Sequence, residues 1–533
     1  MRSKLWKLAL GAVAAAALST GATAEEPKYG GILNYVVASE APSYDGHIET
    51  TFGTIHPIAP FYSLLVRVNP DNPGDPSDIQ CDLCETFETS ADGLTWTFKI
   101  KSGVTFHDGT PLTSADILAT YNKIINPPEG IASAYKKFYL MVDSVTAPDD
   151  STVVFQLKFP SGAFLPALAN PFNFIYSKKD LDEHGYEWHQ KNVNGTGPFI
   201  FVAADPGASV EGKKNPNYHM AGKPYLDGFK AIIATDMSAR VQAIEGGRAD
   251  IEFRGFPPKQ RDELVAALGD QITVQESDWN CVLIVTPNHD RAPMNDARVR
   301  RALSLAMDRW GGSQYLSNIA IVKTVGGIVF PGHPLAATEE ELVQLPGYGK
   351  DIEANRAEAR RLLKESGHEN LKIIFNNRGV DQPYKVVGTW LVDQWKQVGI
   401  EAEQQVNPSP VFYDILRKTR EFDVSIDFNC QSLVNPIADV SFFLPGGGSQ
   451  YSGVQDPEIT RLYDELSRAG TVEEQRSLMR QLEKRILDET ASQFITLWWY
   501  KINPYRSYVK GWKVPPSHYL AQQLDHVWLD KGS

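Results

Sequence analysis

The stretch "LTWTFKIKSGVTFHDGTPLTSADIL", residues 94–118, carries the strongest structural signals in the chain. Its first seven residues alternate between apolar and polar side chains, which is typical of a half-buried β-strand. The turn "KSG" at 101–103 is followed by "VTF" at 104–106, which predicts that the chain returns as a hairpin. Asp108-Gly109 predicts a tight turn because glycine tolerates positive φ. Thr113 or Ser114 then caps a helix that begins at "SADILATYNKII".

The neighbouring residues His107 and Asp108 allow two interpretations. A histidine and a carboxylate are two members of a hydrolase triad, and they also occur together in metal sites. Catalytic groups that orient one another normally come from different segments of the chain, whereas adjacent residues have the wrong geometry. The pattern therefore favours a structural turn over a catalytic pair.

The N-terminus has the three parts of a secretory signal peptide. Arg2, Lys4 and Lys7 precede the apolar run "LALGAVAAAAL", and "ATA" at 22–24 is a small-residue cleavage site. The apolar run is too short to span a bilayer, and no cysteine lies near the cut. We therefore expect residues 1–24 to be removed and the mature protein to be soluble, without a lipid anchor or a transmembrane helix.

The remaining chain of about 509 residues is too long for one hydrophobic core, which predicts two or three domains. Removal of three basic residues leaves 49 Lys and Arg against 65 Asp and Glu, a net charge of −16. Such an acidic surface argues against nucleic acids and anionic membranes as partners. The aromatic content of 11 % is compatible with a binding cleft as well as with a core.

The four cysteines, Cys81, Cys84, Cys281 and Cys430, permit three pairings, and the sequence does not choose among them. "CDLC" has neither a second CxxC nor a nearby pair of histidines, so it is a weak zinc signal. In an exported protein a disulfide is the better interpretation. We expect the cysteines to be structural.

The second half of the chain contains a strand–helix–strand pattern. "LKIIFNN" from Leu371 predicts a strand, and "YKVVGTWLVDQWKQV" from Tyr384 predicts a helix with one apolar face that ends at Gly399. "IEAEQQV" from Ile400 predicts the next strand, which makes a βαβ unit and a parallel pair. "NDARVRRALSLAMDR" predicts another amphipathic helix, with Asp296 as its N-cap.

The search for catalytic motifs favours binding over catalysis. The sequence contains no GxSxG, HExxH or P-loop pattern, and no histidine stands four residues from another on a predicted helix. We therefore predict no enzyme activity, no catalytic residue, no metal site and no cofactor. A secreted hydrolase is the disfavoured alternative.

The 94–118 segment resembles the signature of the periplasmic solute-binding proteins of ABC importers, peptide/nickel-binding class (solute-binding family 5), similar to dipeptide- and oligopeptide-binding proteins. Further similar segments follow in the order found in that family: "NGTGPF" at 194–199, "KKNPNY" at 213–218, "NDARVRRALSLAMDR" at 295–309 and "ANRAEARRLLKESG" at 354–367. These segments span most of the mature chain.

The resemblance implies an α/β fold of the periplasmic-binding-protein type II kind, with two lobes closing about a hinge and an extra inserted domain, three domains in all. Domain I would combine residues 25–67, 194–275 and 501–533. Domain II, the hairpin-rich insertion, would be residues 68–193, and domain III, the second ligand-binding lobe, would be residues 276–500. The HDGT turn would then be structural.

The resemblance also implies the partners. A small peptide or peptide-like solute would bind between domains I and III and be delivered to an inner-membrane ABC permease and its ATPase. The protein would be a periplasmic monomer that does not bind nucleic acid. Because the family also includes binders of other solutes, an opine, an oligosaccharide, or a nickel or haem complex remains an alternative ligand.

Candidate ligand-binding residues follow from the strands expected to line the cleft. Arg378 lies at the end of a strand beside a helix start, where anions bind, and it could grip a carboxylate; the alternative is a solvated loop charge. Only one of the adjacent residues Trp498 and Trp499 can face a ligand from a strand. The other candidates are Glu40, Tyr44, Trp279, Asn280, Cys281, Asn429, Gln431 and Ser432.

Ser432 departs from the family pattern. Peptide-binding relatives carry an aspartate four residues before the proline of this loop, where it pairs with the ligand's α-amino group, and here Pro436 minus four is Ser432. The missing charge puts a free-amino peptide in doubt, unless another acid such as Glu40 or Asp439 replaces it.

Overall fold

The computed structural model describes residues 26–430, 435–447 and 450–531. The predicted signal peptide and the candidates Gln431 and Ser432 lie outside these residues. Within them the strands are β1 (Ile32–Val37), β2 (Val66–Val68), β3 (Ile79–Cys81), β4 (Cys84–Thr89), β5 (Thr95–Ile100), β6 (Val142–Asp149), β7 (Thr152–Leu157), β8 (Phe199–Asp205), β9 (Ser209–Lys214), β10 (Gly228–Ile233), β11 (Ile272–Pro287), β12 (Val322–Thr324), β13 (Lys372–Arg378), β14 (Glu401–Asn407), β15 (Val424–Cys430), β16 (Phe494–Arg506), β17 (Val509–Lys510) and β18 (Trp528–Leu529).

The α-helices flank the sheets and connect their strands. They are α1 (Phe52–Ile58), α2 (Ser114–Ile125), α3 (Phe164–Leu168), α4 (Lys178–His184), α5 (Met237–Glu245), α6 (Pro258–Leu268), α7 (Ala297–Leu305), α8 (Arg309–Leu316), α9 (Glu339–Leu342), α10 (Ile352–Glu365), α11 (Val386–Lys396), α12 (Ser409–Asp414), α13 (Pro436–Asp439), α14 (Pro457–Arg468) and α15 (Val472–Lys484). No helix in the described ranges is both long and apolar enough to cross a membrane.

Three sheets organise the molecule. The small sheet has the order β1-β10-β9-β8, with β1 and β10 parallel and the other neighbours antiparallel. The hairpin sheet, β4-β5-β7-β6, is wholly antiparallel. The large sheet has the order β12-β16-β11-β15-β13-β14 and mixes both directions. Parallel neighbours need a crossover connection. In the large sheet α11 connects β13 to β14, and in the small sheet the chain between β1 and β10 includes the whole hairpin sheet.

Two long strands join the small-sheet side of the molecule to the large sheet. β11 and β16 pair antiparallel from Ile272↔Arg506 to Val285↔Phe494, with register shifts after Trp279 and Val282. The ends near Ile272 are anchored to the small-sheet side, because Asn503 donates to the Glu252 carbonyl at 2.7 Å and Phe256 N donates to the Ile502 carbonyl at 2.8 Å. Two adjacent strands crossing between lobes are the kind of connection about which domains rotate.

The βαβ unit and the helix caps predicted from the sequence are confirmed. β13 and β14 are parallel and are joined through α11, and Gly399, just after that helix, has φ +89°. Thr113 is the N-cap of α2, and the Asp296 side chain accepts from Arg298 N at the start of α7. These features depend on local sequence, which is why the sequence alone predicted them.

The predicted return strand at residues 104–106 is wrong. In the structure this segment makes only an isolated bridge, between Thr105 and Pro111. β5 lies between β4 and β7, so both of its edges are already hydrogen-bonded. β7, from far along the chain, takes the edge that the hairpin would have used.

The predicted turn at Asp108-Gly109 is present, and it orients His107 and Asp108 apart. His107 N donates to the Gly195 carbonyl at 2.8 Å and the His107 Nε2–H to the Gly197 carbonyl at 3.1 Å, whereas the Asp108 carboxylate accepts from Thr110 N at 2.9 Å. Burial lowers the pKa of His107 to about 4, so the ring is neutral at pH 7. The pair fastens the signature segment to the "NGTGPF" segment.

The cysteines form two disulfides, Cys81–Cys84 and Cys281–Cys430. The second joins facing residues of β11 and β15 in the large sheet. Its sulfurs and the ring of His518 lie within 4.8 Å of one another, a Cys₂His grouping whose thiols are consumed by the disulfide. The cysteines are structural, as expected, and the structure shows which of the three possible pairings they form. Their spacing in the sequence did not predict that pairing.

Candidate ligand-binding site

The space between residues 39–52 on the small-sheet side and the ends of β13 and β15 in the large sheet is here called the cleft. Arg378, the last residue of β13, lies in it and is fully buried. Its Nε donates to Ser409 Oγ at 2.7 Å and its Nη2 donates across the cleft to Thr51 Oγ1 at 2.8 Å. The alternative of a solvated loop charge is therefore wrong.

Aromatic rings surround the Arg378 guanidinium. Its carbon lies 5.0 Å from the Phe52 ring centroid, 5.3 Å from both Tyr384 and Tyr413, and 5.8 Å from Phe428. The rings attract the cation, and the hydroxyl partners satisfy part of its hydrogen-bonding capacity. Among the described residues, no carboxylate lies within salt-bridge distance of Arg378.

A second buried arginine, Arg254, lies beside the first. Its guanidinium carbon is 4.2 Å from the Phe52 ring centroid, 5.0 Å from Trp499 and 5.5 Å from Tyr384. Its Nε and Nη2 are buried and have no hydrogen-bond partner. Burial lowers its pKa to about 10, so it remains charged at neutral pH. Sequence reasoning missed Arg254 because no periodic or motif signal accompanies "IEFRGFPP".

Two buried carboxyl groups also face the cleft from the large-sheet side. Burial raises the pKa of Asp427, on β15, to about 7, although Arg378 and Arg417 oppose the shift. Burial raises the pKa of Asp439, at the end of α13, well above its usual range, and its Oδ2 has no hydrogen-bond partner. A further cation or hydrogen-bond donor that approaches either group stabilises its anionic form.

A small pocket lies in the cleft, beside Thr50 and the end of β15. Asp439, Asn429, Cys430 and Phe428 line it from the large-sheet side, and Tyr135, Phe172 and Tyr519 are among the residues opposite. Phe428 and Tyr519 connect it to the arginines, since Phe428 packs on Arg378 and the hydroxyl of Tyr519 is close enough to interact electrostatically with both guanidiniums. Asp439 thus lines the pocket itself, whereas the two arginines lie behind Phe428 and Tyr519.

The tryptophans predicted from the sequence divide as expected for adjacent strand residues. Trp499 packs edge-on against Trp279, with ring centroids 4.9 Å apart, and its Nε1–H has no hydrogen-bond partner. Trp498 points to the opposite face, where its Nε1–H donates to the Gly327 carbonyl at 3.0 Å inside a separate hydrophobic cluster. Trp499 is therefore the one on the cleft side.

The neighbouring candidates on β11 are buried beneath the cleft. The Trp279 Nε1–H donates to His518 Nδ1 at 2.9 Å. Asn280 is buried, and neither its Oδ1 nor its Nδ2 has a hydrogen-bond partner. Cys281 is held in the disulfide with Cys430, and only Cys430 lines the pocket.

The structure does not bring Glu40 to the arginines. Its carboxylate accepts from Gly207 N at 3.0 Å, at the exposed side of the segment. The preceding residue, Ser39, makes the cleft contact instead, through a 2.6 Å hydrogen bond to Ser409 Oγ. The chain bends after β1, and the two adjacent side chains point to different partners. Tyr44 is half-buried, and its backbone N–H donates to the Gln190 carbonyl.

The family model for bacterial extracellular solute-binding proteins, family 5 Middle, matches residues 78–451. The chain belongs to this family. The match runs from the start of β3, through the HDGT turn, to the loop beyond Asp439. It includes Arg254, Arg378 and Asp439, and it confirms the resemblance inferred from the signature segments.

Curated relatives agree with the family assignment. The chain is 28% identical over 325 residues to the glutathione-binding protein GsiB of Pectobacterium atrosepticum, covering 60% of this chain and 59% of that one. It is 31% identical to the probable D,D-dipeptide-binding periplasmic protein DdpA of Escherichia coli, covering 47% and 48%. The dipeptide-binding protein DppE of Bacillus subtilis is 23% identical over 93% of this chain and 91% of its own. The matched part spans half to three fifths of the first two relatives.

Solved structures of low identity share the fold. The OppA of Haemophilus influenzae, in complex with the peptide RPPGFSPFR, superposes with a TM-score of 0.83 at 20% identity and covers 95% of this chain and 100% of that one. The agropinic acid complex of AgaA from A. tumefaciens has a TM-score of 0.79 at 20% identity, covering 94% and 99%. The predicted α/β, two-lobed periplasmic-binding-protein fold is confirmed.

Proposed function

We propose that this protein is the extracytoplasmic substrate-binding component of an ABC importer. It binds a small peptide or peptide-like solute in the cleft, without changing it, and delivers it to a membrane permease that works with an ATPase. The observation that carries the proposal is the charge arrangement around the pocket. Asp439 lines the pocket, and its Oδ2 has no hydrogen-bond partner. Arg378, which forms no salt bridge among the described residues, packs on Phe428 in the pocket wall.

The charge arrangement suits a ligand with an amino group and a carboxylate. Arg378 offers a desolvated guanidinium to the carboxylate, which it can bind more strongly than solvent-exposed arginines can. Peptide-binding relatives use an aspartate at the position of Ser432, and Asp439 can instead accept hydrogen bonds from the ligand's amino group. Glu40, the other substitute considered, points to Gly207 instead.

The remaining properties follow from this role. We place the mature protein in the periplasm as a monomer, with residues 25–67, 194–275 and 501–533 as domain I, 68–193 as domain II and 276–500 as domain III. All four strands of the small sheet fall in the first set, and the hairpin sheet falls in the second. The names of the relatives, which bind glutathione and dipeptides, support a peptide-like ligand.

The proposal is tested by a binding screen on ligand-stripped protein. Dipeptides and tripeptides with free ends, with acetylated amino ends and with amidated carboxyl ends are compared by thermal shift, then by calorimetry. A ligand at a hundredfold excess over its Kd stabilises by about 2.7 kcal/mol. We expect free-ended peptides to bind more tightly than either blocked form.

A second measurement separates carrier from hydrolase. Peptide recovered from the complex after prolonged incubation is analysed by mass spectrometry, and we expect it intact. Binding of opines or metal chelates, with no binding of any peptide, would overturn the peptide assignment, and conversion of the peptide would overturn the carrier role.

A further inference from the structure

Arg254 and Arg378 approach the same part of the cleft from opposite sides. Both guanidiniums lie against the ring of Phe52, at 4.2 and 5.0 Å, and both lie about equally far from the ring of Tyr384, at 5.5 and 5.3 Å. Two like charges close together in a buried site repel each other, and the charge of Arg378 adds to burial in lowering the pKa of Arg254. Such a pair requires compensating negative charge.

The protein does not supply that charge. Glu252 is the carboxylate that interacts electrostatically with Arg254. It accepts a hydrogen bond from Gly255 N at 2.7 Å, and it also interacts with the buried cations Arg240 and Lys501. Asp427, near Arg378, is itself raised towards neutrality by burial and also lies near Arg417. In the described part of the chain, neither Arg254 nor Arg378 forms a salt bridge.

The two arginines also differ in how many of their N–H groups have a hydrogen-bond acceptor in the protein. Arg378 donates to Ser409 and Thr51, whereas Arg254 leaves Nε and Nη2 without a partner although it is only 2% exposed. A buried, unpartnered guanidinium edge is costly unless something of opposite charge completes it. The free edge of Arg254 is therefore an anion site in its own right, next to the one at Arg378.

We propose that the cleft takes a ligand with two neighbouring anionic groups, one bound by Arg378 and the other by Arg254. Among peptides, this selects those with an acidic C-terminal residue, whose α-carboxylate and side-chain carboxylate are separated by a few bonds. The inference rests on the proposed function for the peptide part of the ligand, and on the arginine pair alone for its two negative charges.

The test compares probes that differ only in the second charge. Calorimetry on ligand-stripped protein measures Ala-Glu against Ala-Gln, and Ala-Ala-Glu against Ala-Ala-Gln, at fixed pH and salt. We expect the acidic member of a pair to bind at least tenfold more tightly. Arg254→Gln is expected to weaken the acidic probe about thirtyfold or more, the lower range for loss of a desolvated charge pair, and to leave the neutral probe nearly unchanged.

Two further variants serve as controls. Arg254→Lys keeps the charge and is expected to retain part of the preference. Arg361→Gln makes the same charge change on the exposed face of α10 and is expected to retain all of it. Thermal unfolding without ligand establishes that each variant is folded, and the wild-type comparison of matched probes does not depend on any variant.

The outcomes separate this inference from the proposed function. Equal affinity for acidic and neutral peptides overturns the two-anion inference and leaves peptide binding intact. If no peptide binds, N-acetylglutamate is compared with N-acetylglutamine: binding of the former alone supports the two-anion site and overturns the peptide assignment. Binding of none of these probes overturns the two-anion inference.

Discussion

Arg417 and Glu49 form a bidentate ion pair across the cleft, with Nη1–Oε1 at 3.1 Å and Nη2–Oε2 at 3.2 Å. Glu49 is 1% exposed, and Arg417 also packs on the Tyr413 ring at 4.7 Å. Arg417 follows α12 on the large-sheet side, and Glu49 belongs to the segment opposite. The pair connects the two walls of the cleft, and neither residue lines the pocket.

This ion pair predicts a measurable effect on closure. Glu49→Gln should weaken binding of any cleft ligand, because it removes an interaction made only when the walls meet, and a binding-competent state that is less populated lowers apparent affinity in proportion. In the absence of ligand, small-angle scattering should give a larger radius of gyration for Glu49→Gln than for the wild type. Glu211→Gln, which breaks the exposed pair with Lys230 on the small sheet, is the matched control and should change neither. Unchanged affinity and radius for Glu49→Gln would contradict a closing role.

Replacement of Arg378 tests the carboxylate site. Arg378→Ala should weaken a free-carboxyl peptide by about 2–5 kcal/mol, the range for truncating one partner of a desolvated charge pair. Its effect on a C-amidated peptide should be much smaller. Calorimetry on both ligands gives the difference, and an Arg378→Ala protein that binds as tightly as wild type would refute the assignment. Ser432→Asp should shift preference towards free-amino peptides.

Asp439 predicts proton release on binding. Burial raises its pKa well above the usual range, and an arriving ammonium lowers that pKa, so binding releases a proton at any pH where the free cleft holds the carboxyl protonated. Calorimetry at several pH values, in buffers of different ionisation enthalpy, should show release with free-amino peptides and less with N-acetylated ones. Asp439→Asn should abolish the difference between the two classes of ligand.

The pKa of His107 predicts a specific acid sensitivity. Because the folded pKa is about 4 and the ordinary value is 6.5, the unfolded state binds more protons between these values, so stability falls as pH falls through that window. Between pH 6.5 and 4, wild type should lose about 2–3 kcal/mol relative to His107→Gln. Denaturant unfolding at several pH values measures this. Ligand affinity should be the same in both proteins, and a loss of binding in His107→Gln would place His107 in the site.

The two adjacent tryptophans predict opposite consequences for binding and stability. Trp499→Phe should remove most of a ligand-induced change in intrinsic fluorescence, because Trp499 is the one packed against Arg254 in the cleft. Trp498→Phe should keep that change and lower the melting temperature, because it loses the hydrogen bond to Gly327 and core packing. A fluorescence change that survives in Trp499→Phe would count against a cleft role for that residue.

Local sequence determined the strands β5, β13 and β14, the caps at Thr113 and Asp296, the turn at Asp108-Gly109 and the family to which the chain belongs. In each case the signal lies within a few residues, since alternation, capping and glycine conformations depend on the nearest neighbours. The same reasoning placed Arg378 at the end of a strand in a βαβ unit, where a ligand site was expected.

Tertiary structure decided what those elements meet. Whether residues 104–106 form a strand depended on β7 occupying the edge of β5, and which cysteines pair depended on β11 lying beside β15. The sequence around Arg254, Asp427 and Asp439 has no motif that marks these residues as a binding site. They become a charged, buried cleft because segments more than a hundred residues apart exclude water from the same space, and exclusion of water is a property of the assembled walls that no single segment encodes.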